Sequence, residues 1–323
     1  MGFSENIHFL KLSSLGTNLR YSFLYLSVFL KSKNRRVVSL KHPLFKEKKL
    51  KVLVQIDDSP FDQCSGNKWW KLKYNLLEAK ENNFSSILTF GGAFSNHILA
   101  VSKAAQQMGI KSIGIIRGQE LDGTNHTLKH AKENGMEFYF VDRSTYRNKE
   151  NIDWSQKFEN SFIIPEGGTN QLAVKGCQEF LATNLFDYVC CSVGTGGTIS
   201  GIIKSLNDSQ LALGFSALKK GFYLENEIKK YVDSDNWSLN HDFHFNGYAK
   251  MNKELVDFMN EFKKTYHIPL DPVYTSKLFY GVLKLIEQDY FPINKTILIV
   301  HSGGLQGIVG MNQKNKSKQW YIE

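Results

Sequence analysis

Gly194-Thr195-Gly196-Gly197-Thr198 carries the most specific chemistry of any run in this sequence. It follows an apolar stretch, Asp187 to Val193, that reads as a strand, and it precedes a helix expected to begin near Ile199. Glycines let a backbone approach a ligand closely and turn successive N–H groups toward it. The helix N-terminus adds partial positive charge, and Thr195 and Thr198 add hydroxyl donors, which together make a cradle for a phosphate. The spacing is neither G-x-x-x-x-G-K nor G-x-G-x-x-G, so it matches neither of the two common nucleotide loops. A tight turn without a ligand would carry the same glycines.

Three further loops hold reactive or polar groups. In Gly91-Gly92-Ala93-Phe94-Ser95-Asn96-His97, Ser95 is a natural N-cap for the helix that follows. Asn96 and His97, in the first helical turn, are expected to face the same cleft as the glycine run. Ser65-Gly66-Asn67-Lys68 precedes a helix expected to begin at Trp69. A lysine near a helix start opposes the helix dipole, so Lys68 asks for another reason, although chemistry alone does not separate it from the surface lysines. His301-Ser302-Gly303-Gly304 closes a late apolar strand, and Asp271-Pro272-Val273-Tyr274-Thr275 opens another expected helix. A phosphate cradle, a candidate buried amine and a late hydroxyl together suggest pyridoxal phosphate. That cofactor needs an amine to bind it covalently, donors for its phosphate and a partner for its ring nitrogen.

The elements that must position these loops follow an alternating pattern. Strands are expected at Lys51 to Ile56, Ser86 to Phe90, Ser112 to Ile116, Glu137 to Val141, Phe162 to Pro165, Tyr188 to Val193 and Thr296 to His301. Helices are expected at Trp69 to Glu81, Ser95 to Met108 and Thr124 to Asn134. Short apolar strands separated by longer amphipathic helices predict an α/β protein with parallel sheets covered on both faces. In such sheets ligands bind where strands release their carboxyl ends into loops, which is where the four runs above lie.

Charge and cysteine usage narrow the function. The formal net charge of the 323 residues is +9, which invites a nucleic-acid or membrane partner. Residues 1–51, however, hold eleven basic and two acidic side chains and carry the whole excess, leaving 29 of each sign in the remainder. The body is charge-balanced, so no nucleic-acid partner is expected. Its upstream apolar run, Tyr21 to Leu30, is about half of the ~20 residues needed to span a bilayer, so stable membrane insertion is not expected either. Residues 1–40 read as an atypical basic extension; a signal peptide or an organellar transit peptide is the alternative. Cys64, Cys177, Cys190 and Cys191 show no C-x-x-C spacing, and the pairs His126 with His130 and His241 with His244 lack a third ligand. Neither a disulfide framework nor a metal site follows, and the usage fits a reduced, cytoplasmic compartment.

From about Lys41 to Met311 the chain resembles the D-cysteine desulfhydrase and 1-aminocyclopropane-1-carboxylate deaminase family. These are pyridoxal phosphate enzymes of the tryptophan synthase β-like fold, fold type II. The resemblance rests on Ser65 to Lys68, Gly91 to His97, Gly194 to Thr198, Leu270 to Thr275 with Lys277, and His301 to Gly304, in the family's order. It implies two open twisted parallel sheets, with a smaller α/β subdomain at roughly 72–165 inserted in a larger one of 41–71 plus 166–323, and a homodimer.

Roles follow residue by residue. Lys68 matches the lysine that holds the cofactor and moves a proton. Ser95 and Asn96 match the pair that meets the substrate carboxylate and the cofactor, with His97 beside them. Gly194, Thr195, Gly196, Gly197 and Thr198 match the phosphate loop. Tyr274 matches an active-site tyrosine, and Tyr248 another beside the substrate. Ser302 takes the place of the hydroxyl that meets the pyridine nitrogen. Deaminases of the family carry Glu at the position of Thr275 and Leu at that of Ser302, whereas desulfhydrases carry hydroxyls at both. Thr275 and Ser302 therefore imply a deaminating lyase acting on D-cysteine, with 1-aminocyclopropane-1-carboxylate as the alternative substrate; either Lys68 or Tyr274 is expected to handle the proton. A binding protein that keeps the fold without turnover is the third possibility. Two positions depart from the family: Ile56 replaces part of a basic pair, and Trp70 stands where an arginine is usual, leaving Lys71 as the nearby positive charge.

Overall fold

The computed structural model describes residues 35–57, 64, 66–119, 125–318 and 320–323. Ten strands form two sheets. The larger contains β1 (Arg35–Leu40), β2 (Lys51–Asp57), β7 (Tyr188–Val193), β8 (Leu211–Ser216), β9 (Trp237–Asn240) and β10 (Thr296–His301), in the order β1-β2-β10-β7-β8-β9. The smaller contains β3 (Ser86–Gly92), β4 (Lys111–Arg117), β5 (Met136–Val141) and β6 (Ser161–Ile164), in the order β5-β4-β3-β6. All pairings are parallel except that of β1 with β2. This is the α/β architecture with flanking helices that the alternation of the sequence requires.

Both sheets are buried centrally for the usual reason. The inner residues of β2 and β10 (Val52, Val54, Ile297, Ile299) pack with Leu278, Phe279 and Val282 of a covering helix, all nearly inaccessible. A parallel strand covered on both faces must be apolar nearly throughout, which is why these strands were legible as runs. Six helices matter for the site: α1 (Asn67–Glu81), α2 (Asn96–Met108), α3 (Gln171–Cys177), α4 (Gly197–Lys204), α5 (Lys253–Tyr266) and α6 (Thr275–Glu287). Among the described residues no helix is long and apolar enough to cross a membrane.

Two boundaries differ from expectation. Helix α1 begins at Asn67 rather than Trp69, so Lys68 lies inside the first helical turn. Residues 35–40, assigned above to the basic extension, form β1 and pair in register with β2 from Arg35 opposite Asp57 to Leu40 opposite Val52. Among the described residues the compact body therefore begins at Arg35, and the rest of the expected extension lies outside them. Strand β1 is half-exposed and edge-located, so it lacks the apolar run that marks the central strands.

Helices α1, α3 and α4 pack almost backbone to backbone. A Cβ added at Gly176 of α3 would come 1.9 Å from the Trp70 carbonyl oxygen of α1, and one at Gly201 of α4 would come 2.3 Å from Cys177 Cβ. Gly176→Ala is accordingly expected to cost about 3 kcal/mol, the upper end of ordinary overpacking, because the obstacle is backbone. Thermal melting checks this: a chain of this size should lose about 6 °C in Tm, and an unchanged Tm would show that α1 and α3 slide apart freely.

Candidate active site

The four loops singled out by the sequence meet in one cleft. It is lined by Asn67, Lys68, Lys71, Asn96, Gly167, Ser192, Val193, Gly194, Thr195, Gly196, Thr198, Ile199, Tyr274, Ser302, Gly303, Gly304 and Gln306. Each loop follows the carboxyl end of β2, β3, β7 or β10, as open parallel sheets dictate.

The turn bearing Lys68 rests on the loop after β10. Gly66 has φ +63, and a Cβ there would sit 2.1 Å from the Ser302 carbonyl oxygen, so only glycine fits. The Asn67 N–H donates to the same oxygen at 3.4 Å. The Asn67 side chain donates to Thr198 Oγ1 at 2.8 Å, and Lys68 Nζ reaches Asn67 Oδ1 at 3.5 Å. Burial lowers the pKa of the Lys68 amine, partly offset by Cys177, Asp271 and Cys64. A lowered value increases the fraction of neutral, nucleophilic amine.

Lys71, one helical turn after Lys68, supplies the cradle's cation. It is 2% exposed, and its ammonium donates to the Gly167 carbonyl at 2.6 Å, Thr169 Oγ1 at 2.9 Å and Thr195 Oγ1 at 3.2 Å. All three are neutral oxygens. Burial first and the neighbouring Lys68 second push its pKa down to about 7. Helix α4 starts beside it with no side-chain cap, so its first N–H groups have no side-chain partner. Two buried amines, an uncapped helix N-terminus and the Thr195 and Thr198 hydroxyls form a site suited to an anion. The residues present therefore fit the phosphate of pyridoxal phosphate, with Lys68 placed to hold the cofactor by its amine.

The remaining groups close the cleft. Ser192 Oγ and Ser302 Oγ lie 3.3 Å apart, a pair of neutral hydroxyls in the cleft. Tyr274 packs against Gly194, whose added Cβ would lie 3.0 Å from the tyrosine ring. The Tyr248 ring meets the Tyr274 ring edge-on at 6.0 Å, and the two phenols influence each other electrostatically. Burial, then the neighbouring Tyr248, then Asp271 and Glu166 raise the Tyr274 pKa well above its ordinary value, so this phenol keeps its proton. Asp271 is fully buried and accepts the N–H groups of Val273, Tyr274 and Thr275 at 2.6–2.9 Å, which fixes the start of α6. Thr275 is also buried, with its hydroxyl accepting the Asp271 N–H at 2.7 Å.

Not every expected residue faces the cleft. His97 does not: it is 2% exposed, and its Nε2 bonds Thr89 Oγ1 at 2.8 Å behind the wall. Successive helical residues point about 100° apart, so Asn96 faces forward and His97 backward. Its pKa is held well below the ordinary value by burial first and by Lys68 and Lys71 after it, so it is neutral. Ser95 caps α2 through Ile98 N–H at 3.3 Å and is not among the lining residues. Gly197 lies behind the loop, where a Cβ would strike Thr169 Oγ1 at 2.7 Å and Lys71 Cε at 3.0 Å. Ser65 lies outside the described residues. Ser192, Gln306, Gly167 and Thr169 were not anticipated. The first lies within β7, an otherwise apolar strand, and the last two arrive from a turn after β6 that no local pattern marks.

Position 70 also points away from the cleft. The Trp70 indole N–H donates to Asp57 Oδ2 at 2.7 Å, and its ring lies 4.6 Å beneath the Arg35 guanidinium. Arg35 in turn donates to the carbonyls of Glu179, Phe180 and Leu181. Ile56 is buried in the core. Both departures from the family pattern sit in the wall behind β2, not beside the reacting groups.

Comparison with known proteins agrees with this geometry. The family model described as "Pyridoxal-phosphate dependent enzyme" matches residues 42–303. A Thermotoga maritima protein, provisionally named a 1-aminocyclopropane-1-carboxylate deaminase, is 29% identical over 81% of this chain and 91% of its own. The Arabidopsis thaliana "Bifunctional D-cysteine desulfhydrase/1-aminocyclopropane-1-carboxylate deaminase, mitochondrial" is 27% identical over 79% of this chain and 72% of its own. A crystal structure described as an "ACC deaminase homologue" superposes with a TM-score of 0.73 at 24% identity, covering 91% of this chain and 98% of that one.

Proposed function

Because the chain belongs to the pyridoxal-phosphate dependent enzymes, we propose that it is a deaminating lyase for a small amino acid, and specifically a D-cysteine desulfhydrase. The products would be pyruvate, ammonia and sulfide. The observation that carries this reading is the cleft itself, in which the Lys68 amine, the Lys71 cradle and the paired hydroxyls of Ser192 and Ser302 line one surface. The relatives named above act, by their names, on D-cysteine or 1-aminocyclopropane-1-carboxylate.

Pyridoxal phosphate, when bound, supplies an electron sink for negative charge at the substrate's α-carbon. The protein groups do the rest. Lys71, Thr195, Thr198 and the α4 N-terminus bind the phosphate, and Lys68 holds the cofactor. Asn96, at the N-terminus of α2, orients the substrate carboxylate, and Ser95 acts behind it as the cap of that helix. Opposed pKa shifts support one division of the proton roles: the lowered Lys68 amine accepts the α-proton, and the protonated Tyr274 phenol donates to the departing sulfur. Ser302 is a neutral partner for the ring nitrogen, which favours β-elimination. Gly197 contributes backbone to the phosphate loop, and Tyr248 supports Tyr274. A homodimer fits the exposed Phe94 and Val309 on neighbouring segments, and four free, buried cysteines suit a reduced, cytoplasmic setting.

The choice of substrate is tested by supplying D-cysteine and 1-aminocyclopropane-1-carboxylate separately and assaying sulfide, pyruvate and 2-oxobutyrate. D-Cysteine should be the better substrate. Faster 2-oxobutyrate release from 1-aminocyclopropane-1-carboxylate would instead assign the deaminase, the reading the Thermotoga relative's name favours.

A further inference from the structure

The segment that presents Tyr248 has an unusual backbone. Phe245 (φ 49), Asn246 (φ 67), Gly247 (φ 109) and Ala249 (φ 51) all occupy the left-handed region within five residues. Asn and Gly tolerate that conformation, whereas Phe and Ala are disfavoured there, and such strain persists only where the surroundings over-determine it. Three side chains hold the turn. Phe245 packs edge-on against Tyr280 with ring centres 5.0 Å apart. Lys314, at the surface, reaches the Ala249 carbonyl at 3.4 Å. Lys277 donates to the Gly247 carbonyl at 2.7 Å from a side chain only 2% exposed.

Lys277 stands out among these. A buried ammonium is costly, and an apolar chain of similar length would fill the space without that cost. The carboxylate that acts on it, Asp271, is already occupied by three backbone N–H groups. It lies on α6 three residues after Tyr274, so the helix that follows one tyrosine directly grips the turn carrying the other.

We propose that Lys277 is a positioning residue, whose ammonium clamps the Gly247 carbonyl and so fixes Tyr248 against Tyr274 at the mouth of the cleft. The inference rests on reading the two tyrosines as active-site groups. Burial, partly offset by Asp271, holds the Lys277 pKa at about 8. His244 faces it from the strained segment, lowered by burial, Lys277 and Lys219 with Asp242 opposing, and is neutral in this range. At neutral pH, below its lowered value of about 8, the Lys277 side chain therefore meets the Gly247 carbonyl as an ammonium.

Hydrogen exchange over residues 244–250 tests this without any assay of turnover. Lys277→Met should speed exchange there by about tenfold while leaving β10 unchanged. Unchanged protection in Lys277→Met, or in Lys277→Leu should the first variant not fold, overturns the clamp. On D-cysteine, Lys277→Met and Tyr248→Phe should lower kcat to similar degrees, and the double variant should be no worse than Tyr248→Phe alone. Losses that multiply would overturn the shared role. If exchange responds as expected while unmodified protein turns over neither amino acid, the function assigned above fails and the clamp stands.

Discussion

Lys68→Ala is expected to lower turnover of D-cysteine by about 10³-fold or more, because one amine both holds the cofactor and moves the α-proton. The same change should remove the visible absorption that cofactor gives when bound covalently to lysine. Stability should not suffer. The Lys68 amine is desolvated and its pKa lowered, so in its charged form it costs folding energy, and alanine removes that cost. Activity lost with Tm retained is therefore the expected pair of results. Turnover within tenfold of the unmodified enzyme would remove Lys68 from the chemistry altogether.

Lys71→Met is expected to weaken cofactor binding by about 10- to 100-fold, since a hydrogen bond to a charged group contributes about 1.5–3 kcal/mol. The pH dependence is more diagnostic. With nothing bound, burial and Lys68 hold the Lys71 ammonium at about 7, and an anion beside it raises that value. Binding then takes up a proton between about pH 7 and the raised value. Affinity is full below this window and falls by up to about tenfold per pH unit as pH rises through it. Inorganic phosphate, displaced competitively in a Lys68→Ala background, isolates this effect from covalent attachment. Its own second ionisation, near ~6, lies below the window. Lys71→Met should flatten the slope between pH 7 and 9, and an unaltered slope would assign the effect to another group. The free protein should respond in the opposite sense. Its Lys71 gives up a proton on folding, so its stability falls as pH drops from the ordinary lysine value of 10.5 toward about 7 and levels off below that.

The sheets were legible because burial on both faces leaves a run of apolar residues, as in β2, β7 and β10. Strands β1, β8 and β9 were not anticipated. β1 lies at an edge with four of its first five residues polar or exposed, β8 is interrupted by Gly214, and β9 is a half-exposed run of four. The site shows the same division. Gly194 to Thr198 announced a phosphate loop because glycine and threonine at a strand-to-helix junction are required locally. His97 was misplaced because a one-residue step around a helix turns a side chain from cleft to core. Lys71 stood in plain view as an adjacent positive charge, yet its partners Gly167 and Thr169 lie almost a hundred residues away, and only folding brings them under its ammonium.

The contact between Gly66 and the Ser302 carbonyl has a kinematic meaning. It joins the turn of Lys68 to the loop of Ser302 as one solid piece, a single jaw of the cleft in which the lysine and the serine keep a fixed separation. Asn96 belongs to the opposite jaw, carried by the helix that leaves the four-stranded sheet. A change in the angle between the sheets would therefore leave the cofactor seated and alter only the reach to the substrate's carboxylate.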